Sequence, residues 1–271
     1  MKKEYRIFIT VNRLSLISII LLNYIVKKIK NNKNYCIENI IETSNENMIN
    51  KKKKFSNKLR LFLMSFFSKN FKTFKEKIDN MNLLNVDDIT NRYNINYLGI
   101  DKFKPQYNSK NILINCGGVK IFKKNFIKQF FLAINYHNAE LPRFRGAQSN
   151  GYSLLFNDTY TFYSFHYINS FIDKGFVFYE KKIKINKNIY SLNYDLLKAK
   201  SAGKNILLIL RIALDKKNKK NKSTKGGKYY SLKKFKNYFN NIEKFNFEYI
   251  KKFSRIFDGF YHKNYFVTKF K

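Results

Sequence analysis

Residues 164–195 read SFHYINSFIDKGFVFYEKKIKINKNIYSLNYD and carry the clearest local pattern in the chain. Ser164 is of a type that caps helices, because its hydroxyl can accept a hydrogen bond from an early backbone N–H. The apolar residues behind it recur at helical spacing: Tyr167, Ile168, Phe171 and Ile172. Gly175 can adopt the left-handed conformation that ends a helix. We therefore expect a helix that begins at Ser164 and stops at Gly175.

The residues after this helix have the pattern of a short hairpin. Phe176–Tyr179 and Lys182–Ile185 are rich in strand-forming residues, and Glu180-Lys181 lies between them. In the second segment apolar and lysine side chains alternate, so the isoleucines point to one face and the lysines to the other. The predicted unit has an apolar underside and a cationic top, which suits contact with a phosphate backbone.

The spacing of the cap residue, the apolar pair, the helix-ending glycine and a later aspartate resembles the RNA-binding module of small-subunit ribosomal protein four, the S-four family. These positions are Ser164, Phe171-Ile172, Gly175 and Asp195, with the strand at Val177–Tyr179. The resemblance implies a structural constituent of the small ribosomal subunit that binds small-subunit rRNA. It implies neighbouring small-subunit ribosomal proteins as partners, with messenger RNA close by where it enters the subunit.

The charge of the chain favours the same class of partner. Lys and Arg total 54 against 18 acidic residues, which gives a formal net charge of +36. Such self-repulsion favours a polyanionic partner, either nucleic acid or an anionic membrane surface. The chain is 44% hydrophobic and 18% aromatic, so it has enough apolar material for a core and is not simply disordered.

The composition also indicates a source. Lys, Asn, Ile, Phe and Tyr are abundant, whereas Trp is absent and Pro occurs only 2 times. Residues with GC-rich codons are scarce, which indicates an AT-rich coding genome. An organellar or protist source would fit this bias. Together with the resemblance, it leads us to expect a mitochondrial ribosomal protein encoded in the organelle.

The sequence shows no set of residues on which catalysis could rest. Cys36 and Cys116 are far apart and lack a partner motif, so they predict neither a disulfide framework nor a zinc site. His137, His166 and His262 are isolated, and none has a second ligand at metal-binding spacing. We expect ordinary thiols and histidines, no metal, no cofactor, no small-molecule substrate and no enzymatic activity.

The predicted fold class is α+β, in three parts. Residues 1–145 form a basic, largely helical N-terminal region, residues 146–204 form the helix-turn-hairpin RNA-binding module, and residues 205–271 form a basic loop and a tail that packs back on the first part. Within the first part, helical patterns cover Leu59–Met81 and Phe122–Tyr136. Leu14–Val26 is apolar but too short and polar for a membrane span, so a packed or interfacial helix is favoured over a membrane anchor.

Basic side chains are the expected RNA contacts, since Lys and Arg neutralise phosphates and release counterions. The module would present a rigid cationic face that reads the shape of A-form RNA more than its sequence. The residues are Arg143 and Arg145 before the module; His166, Lys174, Lys181, Lys182, Lys184 and Lys187 within it; and Lys198, Lys200, Lys204, Lys216, Lys217, Lys219 and Lys220 towards the C-terminus.

Two alternatives stay open at this point. One is an RNA-modifying enzyme that carries the same module as an accessory. The other is a basic membrane-associated protein anchored by Leu14–Val26.

Overall fold

A computed structural model gives the architecture of the protein. It describes residues 5–44, 76–117, 120–146, 152–154, 156, 158–186, 191–215 and 226–231. Most of the predicted helix Leu59–Met81 lies outside the described residues. So do five of the predicted RNA contacts: Lys187, Lys216, Lys217, Lys219 and Lys220.

A mixed sheet of seven strands dominates the described part of the chain. The strands are β1 (Tyr5–Val11), β2 (Tyr35–Glu42), β3 (Asn96–Gly99), β4 (Asn108–Asn115), β5 (Phe130–His137), β7 (Tyr160–Tyr167) and β8 (Val177–Lys184). Their order in the sheet is β3-β2-β1-β4-β5-β7-β8. The first five run parallel, whereas β7 and β8 are antiparallel to their neighbours. Two short strands, β6 (Phe144–Gly146) and β9 (Lys228–Tyr230), pair in a separate parallel ladder.

Helices flank the sheet. They are α1 (Leu16–Lys30), α2 (Val86–Tyr93), α3 (Lys124–Ile127), α4 (Ser191–Lys204) and α5 (Ile206–Leu214). The hydroxyl of Ser15 accepts a hydrogen bond from the N–H of Ser18 and caps α1. Helix α1 packs against α4 and α5, and nine of its residues are buried.

Alternate residues of the central strands supply two cores, one on each face of the sheet. Ile7 and Ile9 of β1 face the larger core beneath α1, α4 and α5, whereas Phe8 faces a smaller aromatic core with Phe103 and Phe130. Strand periodicity explains this division, because successive side chains point to opposite faces. A sheet covered on both faces has strands that read as nearly continuous apolar runs.

The predicted helix from Ser164 to Gly175 is wrong, because residues 160–167 form strand β7. Of the apolar residues whose spacing suggested a helix, Tyr167 ends this strand, whereas Ile168, Phe171 and Ile172 lie in the loop between β7 and β8. The hydroxyl of Ser164 does not cap a helix but donates to the carbonyl oxygen of Ala139 at 2.7 Å. The predicted hairpin is also wrong, since Val177–Lys184 is one strand that pairs with β7.

The α+β prediction with a largely helical N-terminal region is likewise contradicted. Strands β1 to β5 all precede residue 138, and the predicted helix Phe122–Tyr136 is replaced by the short helix α3 and strand β5. The physical reason is burial on both faces, which removes the alternation by which an exposed strand is recognised. The observed architecture is a mixed sheet with helices on its faces, not a helical domain followed by an RNA-binding module.

The apolar segment Leu14–Val26 behaves as the packed helix that was favoured. Its residues from Leu16 onward lie in α1, within the larger core. Among the described residues, no helix has both the length and the apolar character needed to cross a membrane.

The topology sets where a ligand would bind. The connection from β1 leads to β2 on one side, whereas β4 lies on the other side of β1. In open sheets of this kind the crevice beyond the carboxyl ends of the strands, at such a switch in strand order, is the usual binding place. The residues at the carboxyl ends of β1, β4 and β5 therefore define the candidate site.

Candidate functional site

A line of polar side chains crosses the carboxyl ends of three parallel strands. The hydroxyl of Thr10 in β1 donates to Oδ1 of Asn115 in β4 at 2.7 Å, and Nδ2 of Asn115 donates to Oδ1 of Asn135 in β5 at 2.6 Å. All three strands are central in the sheet, and both Thr10 and Asn115 are buried. Buried polar groups are costly unless they are hydrogen-bonded. This relay therefore fixes the amide of Asn135 in one orientation.

His166 of the antiparallel strand β7 completes the orientation of Asn135. The two residues are direct partners across the strands, and Nδ2 of Asn135 lies 2.8 Å from Nε2 of His166. Nδ1 of His166 lies 2.9 Å from the carbonyl oxygen of Tyr167, which can only accept. Nδ1 therefore donates to that carbonyl oxygen, and in the tautomer protonated on Nδ1 alone Nε2 accepts from Asn135. Asn135 keeps a second N–H on Nδ2.

Asp173 is brought to the same point by the loop after β7. One carboxylate oxygen lies 3.5 Å from Nε2 of His166, and the other lies 3.6 Å from Nδ1 of His137 and accepts the N–H of Gly146 at 2.8 Å. Burial alone would raise the pKa of the Asp173 carboxyl, but the two histidines and the Gly146 N–H outweigh it and hold that pKa below its ordinary value of 3.8. Asp173 is therefore ionised at neutral pH.

His137, the last residue of β5, faces Asp173 from the other side. Its Nε2 lies 2.6 Å from the carbonyl oxygen of Phe144, so this nitrogen carries a proton. Burial lowers the pKa of His137 below its ordinary value of 6.5, and the attraction of Asp173 offsets this only in part. The imidazole is therefore neutral at neutral pH, and its Nδ1 lies beside the carboxylate.

Two glycines allow the backbone around the cluster to pack closely against neighbouring strands. A Cβ on Gly175 would lie 1.5 Å from the carbonyl oxygen of Tyr167, and Gly146 has a φ of +98° with the backbone of Tyr230 beside it. Only glycine tolerates the first contact, and it is strongly favoured in the second conformation. These positions allow the Asp173 loop and strand β6 to close around the histidines.

The cluster has a partly apolar rim. Phe171 and Ile172, immediately before Asp173, are 64% and 39% exposed. Large apolar side chains exposed beside a buried polar cluster are a feature of ligand sites. The Asp173 loop thus offers apolar surface next to the polar groups.

The arrangement provides three chemical functions at one place. The spare N–H of Asn135 can donate to an oxygen that gains negative charge, as in an oxyanion hole. The carboxylate of Asp173 can accept a proton, and Nδ1 of His137 lies 3.6 Å away to receive it in turn.

In the described part of the chain, no group of three or more His, Cys, Asp and Glu could hold a metal ion.

The two predicted arginine contacts lie on the segment beside the cluster. Arg143 is engaged within the protein, with an ion pair to Asp158 at 2.8 Å and its guanidinium 4.5 Å from the centre of the Phe144 ring. Arg145 lies in β6 and is half-buried. Both arginines therefore lie beside the candidate site. The guanidinium of Arg143 is already bound by Asp158 and the Phe144 ring.

The predicted lysines that the structure describes do not form one surface with the cluster. Lys181, Lys182 and Lys184 are exposed on the edge strand β8, while Lys174 is exposed beside Phe171. Lys200 is partly buried and Lys204 is exposed on α4. Lys198 is fully buried, which leaves it no surface to present to a phosphate. Among the predicted contacts that the structure describes, only His166 lies in the cluster itself.

Sequence reasoning missed Asn135, His137 and Asp173. The two histidines were interpreted as isolated, because they are 29 positions apart in the sequence and only the pairing of neighbouring strands brings them close. A usable signal was present, since Asn135 and His137 alternate at the end of an apolar run, as on one face of a strand. The interpretation of that run as a helix concealed it.

Residues 91–207 match the model of a protein family described as formyl transferase. The matched segment contains Asn135, His137, His166 and Asp173. No curated protein sequence matches the chain.

Solved structures with the same fold include several formyltransferases. A sugar 3-N-formyltransferase, crystallised in the presence of dTDP and 5-N-formyl-THF, is 18% identical, with a TM-score of 0.54 over 86% of this chain and 71% of that chain. Phosphoribosylglycinamide formyltransferase from Anaplasma phagocytophilum is 12% identical, with a TM-score of 0.51 over 84% of this chain and 99% of that one. Methionyl-tRNA formyltransferase from Clostridium thermocellum is 13% identical, with a TM-score of 0.51 over 93% and 82%. At these identities the likeness concerns the fold.

These findings correct the functional expectations from sequence. The resemblance to the S-four family is wrong, because the family match and the structural neighbours are formyltransferases and the supposed module is part of a seven-stranded sheet. The expectations of a ribosomal structural role and of no enzymatic activity are contradicted by the same findings. So is the expectation of rRNA and ribosomal protein partners without a small-molecule substrate, since a structural neighbour was crystallised with a nucleotide and a formylated folate.

Proposed function

We propose that this chain is an enzyme that transfers a formyl group from a formyl-tetrahydrofolate donor to an amine on a phosphate-bearing acceptor. One observation carries the proposal. The buried cluster of Asn135, His137 and Asp173 combines a fixed amide donor with a proton acceptor, and it lies within residues 91–207, the segment that matches the formyl transferase family. Acyl transfer to an amine needs both functions at one carbon atom.

Asn135 would stabilise the charge that develops on the formyl oxygen. When the acceptor nitrogen attacks the formyl carbon, the C=O bond becomes a C–O⁻ bond and the new N–C bond forms. The second N–H of Asn135 can donate to that oxygen, and its orientation is already fixed by Asn115 and His166. Because the amide does not have to reorient during the reaction, this stabilisation costs no reorganisation.

Asp173 and His137 would remove the proton of the attacking amine. The carboxylate of Asp173 accepts the proton as the N–C bond forms, and Nδ1 of His137 can take it over. The C–N bond to the donor then breaks, its electron pair stays on the donor nitrogen, and that nitrogen takes up a proton. The products are a formamide and the deformylated donor. A neutral His137 is needed for this role, so activity should rise with pH through the lowered pKa of His137.

The apolar rim supports a folate donor. Phe171 and Ile172 provide exposed apolar surface beside Asp173, on which a flat heterocycle could pack. A structural neighbour was crystallised with 5-N-formyl-THF, which makes a formylated folate the donor class to test first.

The charge of the chain supports an anionic acceptor. The net charge of +36 raises the local concentration of anions around the protein and speeds their association. By their names, one neighbour acts on a sugar and was crystallised in the presence of dTDP, one acts on phosphoribosylglycinamide and one acts on methionyl-tRNA, so a phosphate-bearing molecule accompanies each. We therefore infer an amine on a phosphate-bearing molecule, with the size of that molecule left to experiment.

The test is a transfer assay with the purified full-length chain. A formyl-tetrahydrofolate labelled with ¹⁴C in the formyl group is incubated with three acceptors in parallel: a dTDP-linked amino sugar, glycinamide ribonucleotide and methionyl-tRNA. We expect the label to appear in one acceptor as an acid-stable formamide. The His137→Gln variant should lose this activity, whereas Lys28→Met, an exposed lysine on α1, should keep it.

Two results would contradict the proposal. The first is absence of label from all three acceptors together with no detectable binding of the donor in calorimetry. The second is transfer that persists unchanged in His137→Gln.

A further inference from the structure

Helix α4 places a lysine inside the protein, behind the candidate site. Lys198 has no exposed surface, although α4 also carries the exposed Lys204. Lysine is almost never fully buried unless its charge is compensated. A buried ammonium group is costly, so its surroundings indicate what it does.

The ammonium group of Lys198 binds the segment that follows His137. Its Nζ donates to the carbonyl oxygen of Asn138 at 3.2 Å and to the hydroxyl of Thr161 in β7 at 2.6 Å. Asn138 is adjacent to His137 in the chain and begins the turn that leads to β6. Lys198 thus joins α4, β7 and the end of β5 at one point.

A second residue of α4 holds the same asparagine by its side chain. The carboxylate of Asp195 accepts a hydrogen bond from Nδ2 of Asn138. Asp195 and Lys198 lie three positions apart on the helix and therefore share a face. One turn of α4 therefore binds Asn138 twice, through Asp195 at its side chain and through Lys198 at its main chain.

We propose that Lys198 is a positioning residue for the candidate site: its ammonium group, held between Thr161 and the main chain of Asn138, fixes the segment that carries His137. The inference rests on the proposed function only where it concerns catalysis. Its structural part, that the cation of α4 controls His137, can be tested without any substrate.

The charge of Lys198 should also act on His137. The charged and titratable groups that face this imidazole are Asp173 on its loop, His166 on β7 and Lys198 on α4. Burial is the largest influence and lowers the pKa of His137; Asp173 raises it, whereas His166 and Lys198 lower it further. Removal of the ammonium charge should therefore let His137 take up a proton at higher pH.

The first experiment is an NMR titration of the imidazole signals in the full-length chain. The His137 signal is assigned by its absence from the His137→Gln variant. In Lys198→Met, which keeps the length of the side chain without its charge, His137 should titrate at higher pH than in the wild type. In Lys28→Met, an exposed lysine on α1, it should titrate at the wild-type pH. Identical titration of His137 in Lys198→Met and the wild type would overturn the proposal.

A kinetic experiment separates this proposal from the proposed function. In Lys198→Met the acid limb of the pH profile of kcat/KM should move to higher pH with the NMR titration, and kcat at neutral pH should fall about 10–100-fold because His137 is displaced. An unchanged kinetic profile would overturn the positioning role. Absence of formyl transfer in the wild type as well would refute the proposed function instead, and the NMR result would still decide the role of Lys198.

A second variant keeps the proposal testable if Lys198→Met does not fold. Thr161→Val preserves the size of the buried side chain and removes the hydroxyl that accepts from the ammonium group. Amide hydrogen exchange of residues 139–141 should become about 3–10-fold faster, because the segment opens more readily, while exchange within α1 stays the same. Equal exchange of residues 139–141 in Thr161→Val and the wild type would overturn the proposal.

Discussion

Replacement of Asp173 by asparagine should destabilise the protein through the contacts of one carboxylate. The side chain is only 11% exposed, and it accepts the N–H of Gly146 at 2.8 Å between two histidines at 3.5 and 3.6 Å. A hydrogen bond to a charged acceptor contributes about 1.5–3 kcal/mol, against about 0.5–1.5 kcal/mol for a neutral one. Asparagine keeps a neutral bond to Gly146, so the change removes the charge assistance of that one hydrogen bond. The expected loss in the free energy of unfolding is about 1 kcal/mol.

Urea denaturation at pH 7, followed by circular dichroism because the chain contains no Trp, measures this loss. Asp87→Asn is the control, since Asp87 is 55% exposed in its ion pair with Arg13 and should change stability by less than about 0.5 kcal/mol. Because the pKa of Asp173 is lowered by folding, its stabilisation is present above pH 3.8 and is lost as the pH falls below that value. The difference between Asp173→Asn and the wild type should therefore shrink in acid. If Asp173→Asn were as stable as Asp87→Asn at pH 7, the contacts assigned to the carboxylate would be wrong.

Two further predictions concern the same loops. Because burial lowers the pKa of His137, the unfolded chain binds more protons below pH 6.5, so wild-type stability should fall as the pH drops below 6.5. Stability curves of His137→Gln should be flatter in this window, and equal slopes would argue against a buried neutral imidazole. Gly175→Ala should cost about 3 kcal/mol by thermal or urea denaturation, because its Cβ would meet the carbonyl oxygen of Tyr167 at 1.5 Å. The matched change Gly99→Ala meets no atom within 4 Å and should be nearly neutral, so similar losses in the two variants would contradict the close approach at Gly175.

Some of the fold could be predicted from the sequence, where the local pattern and the burial agree. The segment Leu14–Val26 was expected to form a packed helix, and α1 lies in the core. Lys182–Ile185 was expected to be extended, and most of it belongs to β8. In β8 lysine and apolar side chains alternate, so the strand periodicity is visible in the sequence, whereas α1 is marked by an apolar run that is too short for a membrane span.

The central strands could not be predicted in the same way. Strands β5 and β7 are covered on both faces, so their apolar residues do not alternate with polar ones. The aromatic and apolar positions from Tyr167 to Ile172 lie at the end of β7 and in the loop after it, and they fit a helical spacing by coincidence. The resemblance to the S-four family depended on that spacing, and it fails because these residues do not form a helix.

The candidate site escaped prediction for a different reason. His137, His166 and Asp173 lie in three separate segments, and only the pairing of β5 with β7 and the turn at Gly175 bring them together. Isolated histidines usually have no catalytic role, and a single sequence contains no signal for contacts between distant residues. The basic charge, by contrast, was evident from the sequence, and it supports an anionic acceptor. The mitochondrial location stays a prediction.

The central claim is that the cluster around Asp173 transfers a formyl group. The most direct measurement compares the rate of ¹⁴C-formyl transfer by the wild type and by Asp173→Asn, at a temperature where both are folded, together with the dissociation constant of the donor for each. The account predicts a fall in kcat of about 100–10,000-fold with donor binding largely preserved, because the proton acceptor is lost while the apolar rim remains. Transfer by Asp173→Asn at the wild-type rate would contradict it.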